Sequence, residues 1–304
     1  MTAPHRVTTW SLASLNFSDH LVTAIIICDS PQPVNRRIVL FILASYNKEN
    51  ERGCLPIERK YIDRVLLRRE PERDSYLRAL PAVRWLLEHK TLFFPADVTF
   101  LIGENGTGKS TLLEAVAVAA GFNAEGDSKN FSFSTRATHS ELCSCLSVSR
   151  QSYPKDGFFL RAESFYNVAT NIDELDEAQG LGGRLIDSYG GVSLHKQSHG
   201  ESFLSLVENR FGGNGLYLLD EPEAALSPAR LLTLMVHIRD LVQKNSQFII
   251  ATHSPILMAF PGAHIYRLSE QGVESVEYRQ TEHYQLTKAF LDNPDKMLGY
   301  LFEE

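Results

Sequence analysis

The stretch from Gly103 to Thr111 reads GENGTGKST and carries the residue types that hold a polyphosphate. Gly103, Gly108, Lys109 and Ser110 fill the fixed positions of the pattern G-x-x-x-x-G-K-[ST]. Glycines let the backbone approach phosphate oxygens and turn successive N–H groups inward, and a following helix N-terminus adds positive partial charge. Lys109 is expected to reach the β and γ phosphates, and the Ser110 hydroxyl to hold Mg²⁺. Glu104, Asn105, Gly106, Thr107 and Thr111 complete the cradle. Such a loop needs a strand before it and a helix after it. Val98, Phe100 and Ile102 alternate with Thr99 and Leu101, which predicts the strand; Leu112, Leu113, Val116 and Ala120 recur at helical spacing up to Gly121. The alternative, a glycine-rich surface turn that carries a lysine, does not explain those flanks.

Two further stretches carry matching chemistry. Leu216 to Leu219 is a continuous apolar run, as in strands buried on both faces of a parallel sheet, and it ends in Asp220 and Glu221. Acids at such a strand end lie where open α/β sheets bind ligands. Asp220 is expected to hold Mg²⁺ and Glu221 to act as the general base on the attacking water; capping of the next helix is the alternative. Phe248 to Ala251 predicts another core strand, followed by Thr252 and His253. His253 stands 33 positions after Asp220 and is expected to sense the γ phosphate.

Ser198-His199-Gly200-Glu201-Ser202 precedes Phe203, Leu204, Val207 and Phe211, which share one helical face. Ser198 and Gly200 at a helix N-terminus, with Glu201, make a second phosphate site. One chain with two such sites in different places suggests that each is shared between subunits.

The 304 residues suffice for one large domain or two small ones, with 43% hydrophobic and 22% charged residues. A formal charge of -7 argues against a chain coated in basic surface, so any nucleic-acid contact would be local or belong to a partner. Cys28, Cys54, Cys143 and Cys145 show no metal-ligand spacing and read as reduced thiols. No stretch approaches the ~20 apolar residues of a membrane span. A secretory signal is a poor fit to the first twenty residues, and a cytoplasmic location is expected.

Along the chain, 1–58 reads as an N-terminal extension with strands at Val22 to Ile27 and Ile38 to Leu43, 59–280 as the main domain and 281–304 as a helical tail. Ile62, Val65 and Leu67 predict a strand, Leu80 to Leu87 a helix, Leu142 to Val148 and Gly157 to Ala162 two more strands. Leu231 to Val242 predicts a helix, and His264 to Leu268 with Val273 to Tyr278 a closing hairpin. The arginines from Arg64 to Arg84 alternate with acids and read as a solvated mixed-charge face.

With these pieces in order, roughly from Tyr61 onward, the chain resembles the ATP-binding cassette (ABC) ATPases. The matching segments are GENGTGKS, the signature-like QSHGES at Gln197 to Ser202, LYLLDEPE at Leu216 to Glu223, the loop Ala225 to Pro228, and ATHS at Ala251 to Ser254. It is similar to small standalone bacterial ATPases that carry FFLRAESFYNVAT (Phe158 to Thr170) and SHGESF, and to heads of the RecF, SMC and OLD type. His199 departs from the signature, where the family has a glycine, and the glutamine of the family's Q-loop is displaced, with Gln151 before the GFFLRA strand and Glu163 after it.

The resemblance implies an α/β P-loop fold: a mixed, mostly parallel sheet flanked by helices, a small antiparallel β subdomain and a helical subdomain. It implies ATP and Mg²⁺ as ligands and an ATP-dependent head-to-tail homodimer, each ATP lying between one chain's P-loop and the other's Ser198 and Gly200. Tyr61, Tyr76 and Trp85 are the candidate base-stacking aromatics. Three functional readings follow: a motor or switch in a nucleic-acid task, an ATP-gated scaffold for a separate effector protein, and a transporter ATPase subunit.

Overall fold

The computed structural model describes residues 60–123, 141–161 and 198–302. All of them belong to one compact unit, 52–304. The strands expected before residue 60, and Glu163 and Gln197, lie outside the described residues.

The first part runs β1 (Arg64–Leu67), α1 (Pro81–His89), β2 (Thr91–Phe93), β3 (Val98–Ile102) and α2 (Lys109–Ala119). It continues with α3 (Leu142–Cys145), β4 (Leu146–Ser149) and β5 (Asp156–Arg161). The last part contains α4 (His199–Arg210), β6 (Gly215–Asp220), α5 (Pro228–Gln243), β7 (Gln247–Ala251) and α6 (Pro255–Met258). The strands β8 (His264–Ser269) and β9 (Gly272–Ser275) and the helices α7 (Glu282–Asp292) and α8 (Pro294–Phe302) follow.

Six strands form the main sheet in the order β5-β6-β7-β3-β8-β9; the first five run parallel, and β9 turns back antiparallel on β8. The order explains the continuous apolar runs. β3, β6 and β7 are interior strands, and every residue in them is buried. Their side chains divide by a period of two. Val98, Phe100, Ile102, Tyr217, Leu219, Phe248 and Ile250 join α4 and α5 in one core cluster. Leu101, Leu216, Leu218 and Ile249 join α1, α2 and the second sheet in the other.

The second sheet has the order β2-β1-β4 and is antiparallel throughout. Val65 and Leu67 face the core while Arg64 faces outward beside Asp63, the alternation of a sheet wetted on one side. The molecule is therefore α/β, with a mostly parallel sheet between helices and a small antiparallel sheet beside it. The expected mixed-charge face is present in the pairs Arg78 with Glu70 and Arg84 with Glu270.

Two local expectations need correction, and one strand has no local signal. Leu142 to Cys145 is a helical turn rather than the start of a strand, because Leu142 and Cys145, three apart, both turn into the core beside α2, and the strand begins only at Leu146. The hairpin's second strand stops at Ser275, and Tyr278 opens a short 3₁₀ turn whose ring lies 4.7 Å from that of Tyr284. β2 has no pattern of its own; its pairing to β1 makes it a strand.

Candidate active site

The loop after β3 uses glycine where no other residue fits. Gly103 has φ of 140°, and a Cβ there would lie 2.1 Å from the Leu268 carbonyl oxygen of β8. Gly108, with φ of 94°, is the residue from which α2 springs. Lys109 is buried, and its Nζ donates to the carbonyls of Gly103 at 2.8 Å and Glu104 at 3.0 Å. Thr107 Oγ1 donates to Glu104 O, closing the loop on itself. Burial pushes the Lys109 amine down, while the carboxylates of Glu221, Asp220 and Glu223 act on it in the opposite direction.

These acids reach Lys109 because the sheet register levels three strand ends. Leu101 of β3 and Asp220 of β6 both stand opposite Ala251 of β7. Ser110 Oγ donates to Asp220 Oδ1 at 2.9 Å, so the two expected metal-binding groups touch. A hydroxyl beside a buried carboxylate is a pair of hard oxygen donors, which suits Mg²⁺. Among the described residues no group of three or more His, Cys, Asp or Glu could hold a metal.

Glu221 follows directly with φ of 49° and ψ of 52°, a left-handed conformation that costs of order 1–3 kcal/mol in a non-glycine residue. The turn takes its carboxylate off the line of β6, to 3.7 Å from His253 Nε2, and its N–H donates to Ala251 O. The Thr252 N–H donates to Leu101 O, tying the segment after β7 to β3. The His253 backbone N–H donates to Glu223 Oε1, whose carboxyl is pushed up by burial. Burial, and then the charge of Lys109, hold the His253 imidazole below its usual range.

On the other side of His253, its Nδ1 lies 3.3 Å from Nε2 of His283, the second residue of α7. Burial, with His253 next, lowers His283 as well, and burial lowers His264. An imidazole depressed in the folded state binds fewer protons than in the unfolded chain, where its value is near 6.5. The stability these three groups protect is complete above that value and declines as pH falls through it toward the folded values. Melting temperature is expected to drop between pH 7.5 and pH 5.5, and His283→Gln to reduce the drop. A melting temperature that rises toward pH 5.5 would contradict the assignment of neutral imidazoles.

Several groups here are not signalled by the sequence pattern. Arg161, at the end of β5, pairs with Glu114 Oε2 at 2.7 Å and lies 3.6 Å from Asp220 Oδ2, in register with Asp220 across the β5–β6 ladder. Glu114 gives no local signal because it sits within an apolar helix, and Arg161 reads as the tail of a strand. Glu223, within the quoted LYLLDEPE segment, and His283, in the tail, carried no assigned role.

Ser198 is the N-cap of α4 and forms a capping box with Glu201: Ser198 N and Oγ both donate to Glu201 Oε2, at 3.1 and 2.7 Å. Hydrogen bonds from Ser198 hold the Glu201 carboxyl below its usual range. Arg230 of α5 donates to Ser198 Oγ and Glu201 Oε1. Gly200 packs so closely that a Cβ would meet Arg230 Nη1 at 2.3 Å and Ala225 O at 2.9 Å. The turn thus rests on the Ala225 to Pro228 loop and α5. A cleft of about 410 Å³ adjoins Gly103 to Thr107, walled otherwise by Arg267 to Glu270 and by Glu282 and His283.

One candidate aromatic is placed elsewhere. Tyr61 is buried and its hydroxyl donates to Asn245 O, just before β7 and so at the opposite end of the sheet. Trp85 stacks on His89 at 4.2 Å and packs against Gly272. Tyr76 is exposed. Gln151 accepts from Lys60 N, away from the strand ends. Cys143 and Cys145 are free thiols.

A family model described as "AAA domain, putative AbiEii toxin, Type IV TA system" matches residues 192–259, and a second, described as "AAA domain", matches 82–163. Between them they cover the Gly103 loop and the segment from Ser198 through His253. Both matches are to AAA domains, and with the loop geometry above they make the fold that of a P-loop NTPase. The chain matches no curated protein in a sequence comparison. Among solved structures it is similar to the SMC head domain from Thermotoga maritima, with 15% identity over 71% of this chain and 99% of that one and a TM-score of 0.37. It is also similar to cbiO1 from Clostridium perfringens, part of the ABC transporter complex cbiONQ, with 17% identity over 81% and 100% and a TM-score of 0.44. Among the described residues no helix is long and apolar enough to cross a membrane.

Proposed function

We propose that the chain hydrolyses ATP to ADP and phosphate in composite sites formed by two subunits paired head to tail. The observation that carries this is the convergence, at adjacent strand ends, of Lys109, the touching Ser110 and Asp220, Glu221 and His253. No one of them is diagnostic, but a buried cation, two hard oxygen donors, a carboxylate and a neutral imidazole together answer each need of phosphoryl transfer to water. Ser110 and Asp220 would hold Mg²⁺, which when bound neutralises charge on the β and γ phosphate oxygens. Lys109 faces the same oxygens. Glu221 takes the proton of the attacking water, and His253 donates to the γ phosphate. Ser198, Gly200 and Glu201 serve the ATP on the opposite subunit, a helix N-terminus with a serine hydroxyl and a glycine being suited to phosphate.

Phosphate release from Mg-ATP by the purified full chain tests hydrolysis. Steady release that a chelator abolishes is expected, and release no faster than background would overturn it.

Closure and opening of the pair would drive or gate a nucleic-acid task such as repair or defence. The 89 positions from Lys109 to Ser198 leave no room for a long coiled-coil arm, so contact with duplex would be through a short arm or a partner. Binding to duplex that weakens steeply with salt is the expected signature. A second reading, an ATP-gated scaffold for a separate effector, draws on the family model over 192–259, whose description names a toxin. A partner that co-purifies in fixed ratio, with no duplex binding, would favour it.

A further inference from the structure

His283 lies in the tail, 30 positions from His253, and belongs to no motif. Its place is nevertheless fixed. Thr281 is fully buried and caps α7: its Oγ1 accepts from Tyr284 N and donates to Tyr278 O at 2.7 Å. The helix start therefore holds the His283 ring against His253, with centroids 5.5 Å apart and Nε2 at 3.3 Å from His253 Nδ1.

Two facing imidazole nitrogens share one proton, and where it resides sets the tautomer of both rings. If His253 Nδ1 carried it, His253 Nε2 would turn a lone pair on the Glu221 carboxylate 3.7 Å away, and His283 would carry its proton on Nδ1. His283 Nδ1 is buried without a hydrogen-bond partner, and a buried donor left unpaired is costly. If His283 Nε2 carries the shared proton, the remaining donor is His253 Nε2, which is also buried without a hydrogen-bond partner but faces the Glu221 carboxylate at 3.7 Å, where a positive N–H edge is favoured over a lone pair. His283 Nδ1 is then a bare acceptor, and His253 presents an Nε2–H toward Glu221.

We propose that His283 is a positioning residue: its Nε2–H donates to His253 Nδ1 and holds His253 as the Nε2–H tautomer, the form that can donate to the γ phosphate of ATP. This rests on the reading of His253 as the group that meets that phosphate. It gives α7, which lies outside every motif of the nucleotide site, a direct connection to turnover. Burial lowers both rings, which favours the neutral forms that a shared-proton pair requires.

The test combines side-chain ¹⁵N NMR of the histidines with turnover. In wild-type protein His253 is expected to be protonated at Nε2; a proton at Nδ1 would overturn the proposal whatever the variants do. His283→Ala removes one orienting hydrogen bond and is expected to lower kcat roughly tenfold with little change in ATP affinity. His283→Gln, which keeps an N–H donor at the same reach, is expected to restore most of the loss and the Nε2–H tautomer, which a merely structural role for the ring would not do. Wild-type kcat and tautomer in His283→Ala, alongside a large loss in His253→Ala, would sink the proposal and leave the role of His253 standing. Unimpaired turnover in His253→Ala would remove that underlying reading instead.

Discussion

Glu221→Gln is expected to lose roughly 10²–10⁴ in turnover, the usual worth of a general base, while still binding ATP. The amide has the size of the carboxylate, so the left-handed turn and its N–H bond to Ala251 O persist. What disappears is the proton acceptor beside His253 Nε2. Lys109 keeps its two loop carbonyls and the charges of Asp220 and Glu223, so the phosphate cradle is not dismantled. Single-turnover phosphate release and titration with a fluorescent ATP analogue separate the two properties. Wild-type turnover in a clean steady-state assay would remove Glu221 from the role of base.

Lys109→Ala acts on the opposite property. Lys109 is the buried cation facing Glu221, Asp220 and Glu223, so its loss leaves three acids around a site meant for a polyanion. A hydrogen bond to a charged group contributes about 1.5–3 kcal/mol, so ATP affinity is expected to fall roughly 10- to 150-fold. The fall should persist without Mg²⁺, because Ser110 and Asp220 remain in contact. ATP binding equal to wild type would show that the loop backbone alone holds the phosphates.

The contrast between these two residues and His283 shows what local sequence carries. Gly103 to Thr111 and Leu216 to Glu221 announce themselves because a strand, a turn and a helix start are local events, and interior parallel strands must be apolar throughout. The same holds for α5 and for β7. Arg161, Glu114 and His283 reach the site through contacts between elements far apart in sequence, which no periodicity encodes. Tyr61 fails as a base-stacking aromatic for the converse reason: it precedes the loop in sequence but is buried at the other end of the sheet. The short β2 and the helical turn before β4 depend on packing against β1 and α2, so three or four residues carry too little pattern to name them.

The pairing of two subunits around shared ATP is the center of the account, and light scattering on Glu221→Gln protein during size-exclusion chromatography addresses it most directly. With Mg-ATP the mass is expected to rise from one chain to two, and to stay at one chain without nucleotide or with ADP. A mass that ignores nucleotide would contradict the shared site, leaving the Ser198 turn as a structural cap of α4 and the P-loop as a site complete within one chain.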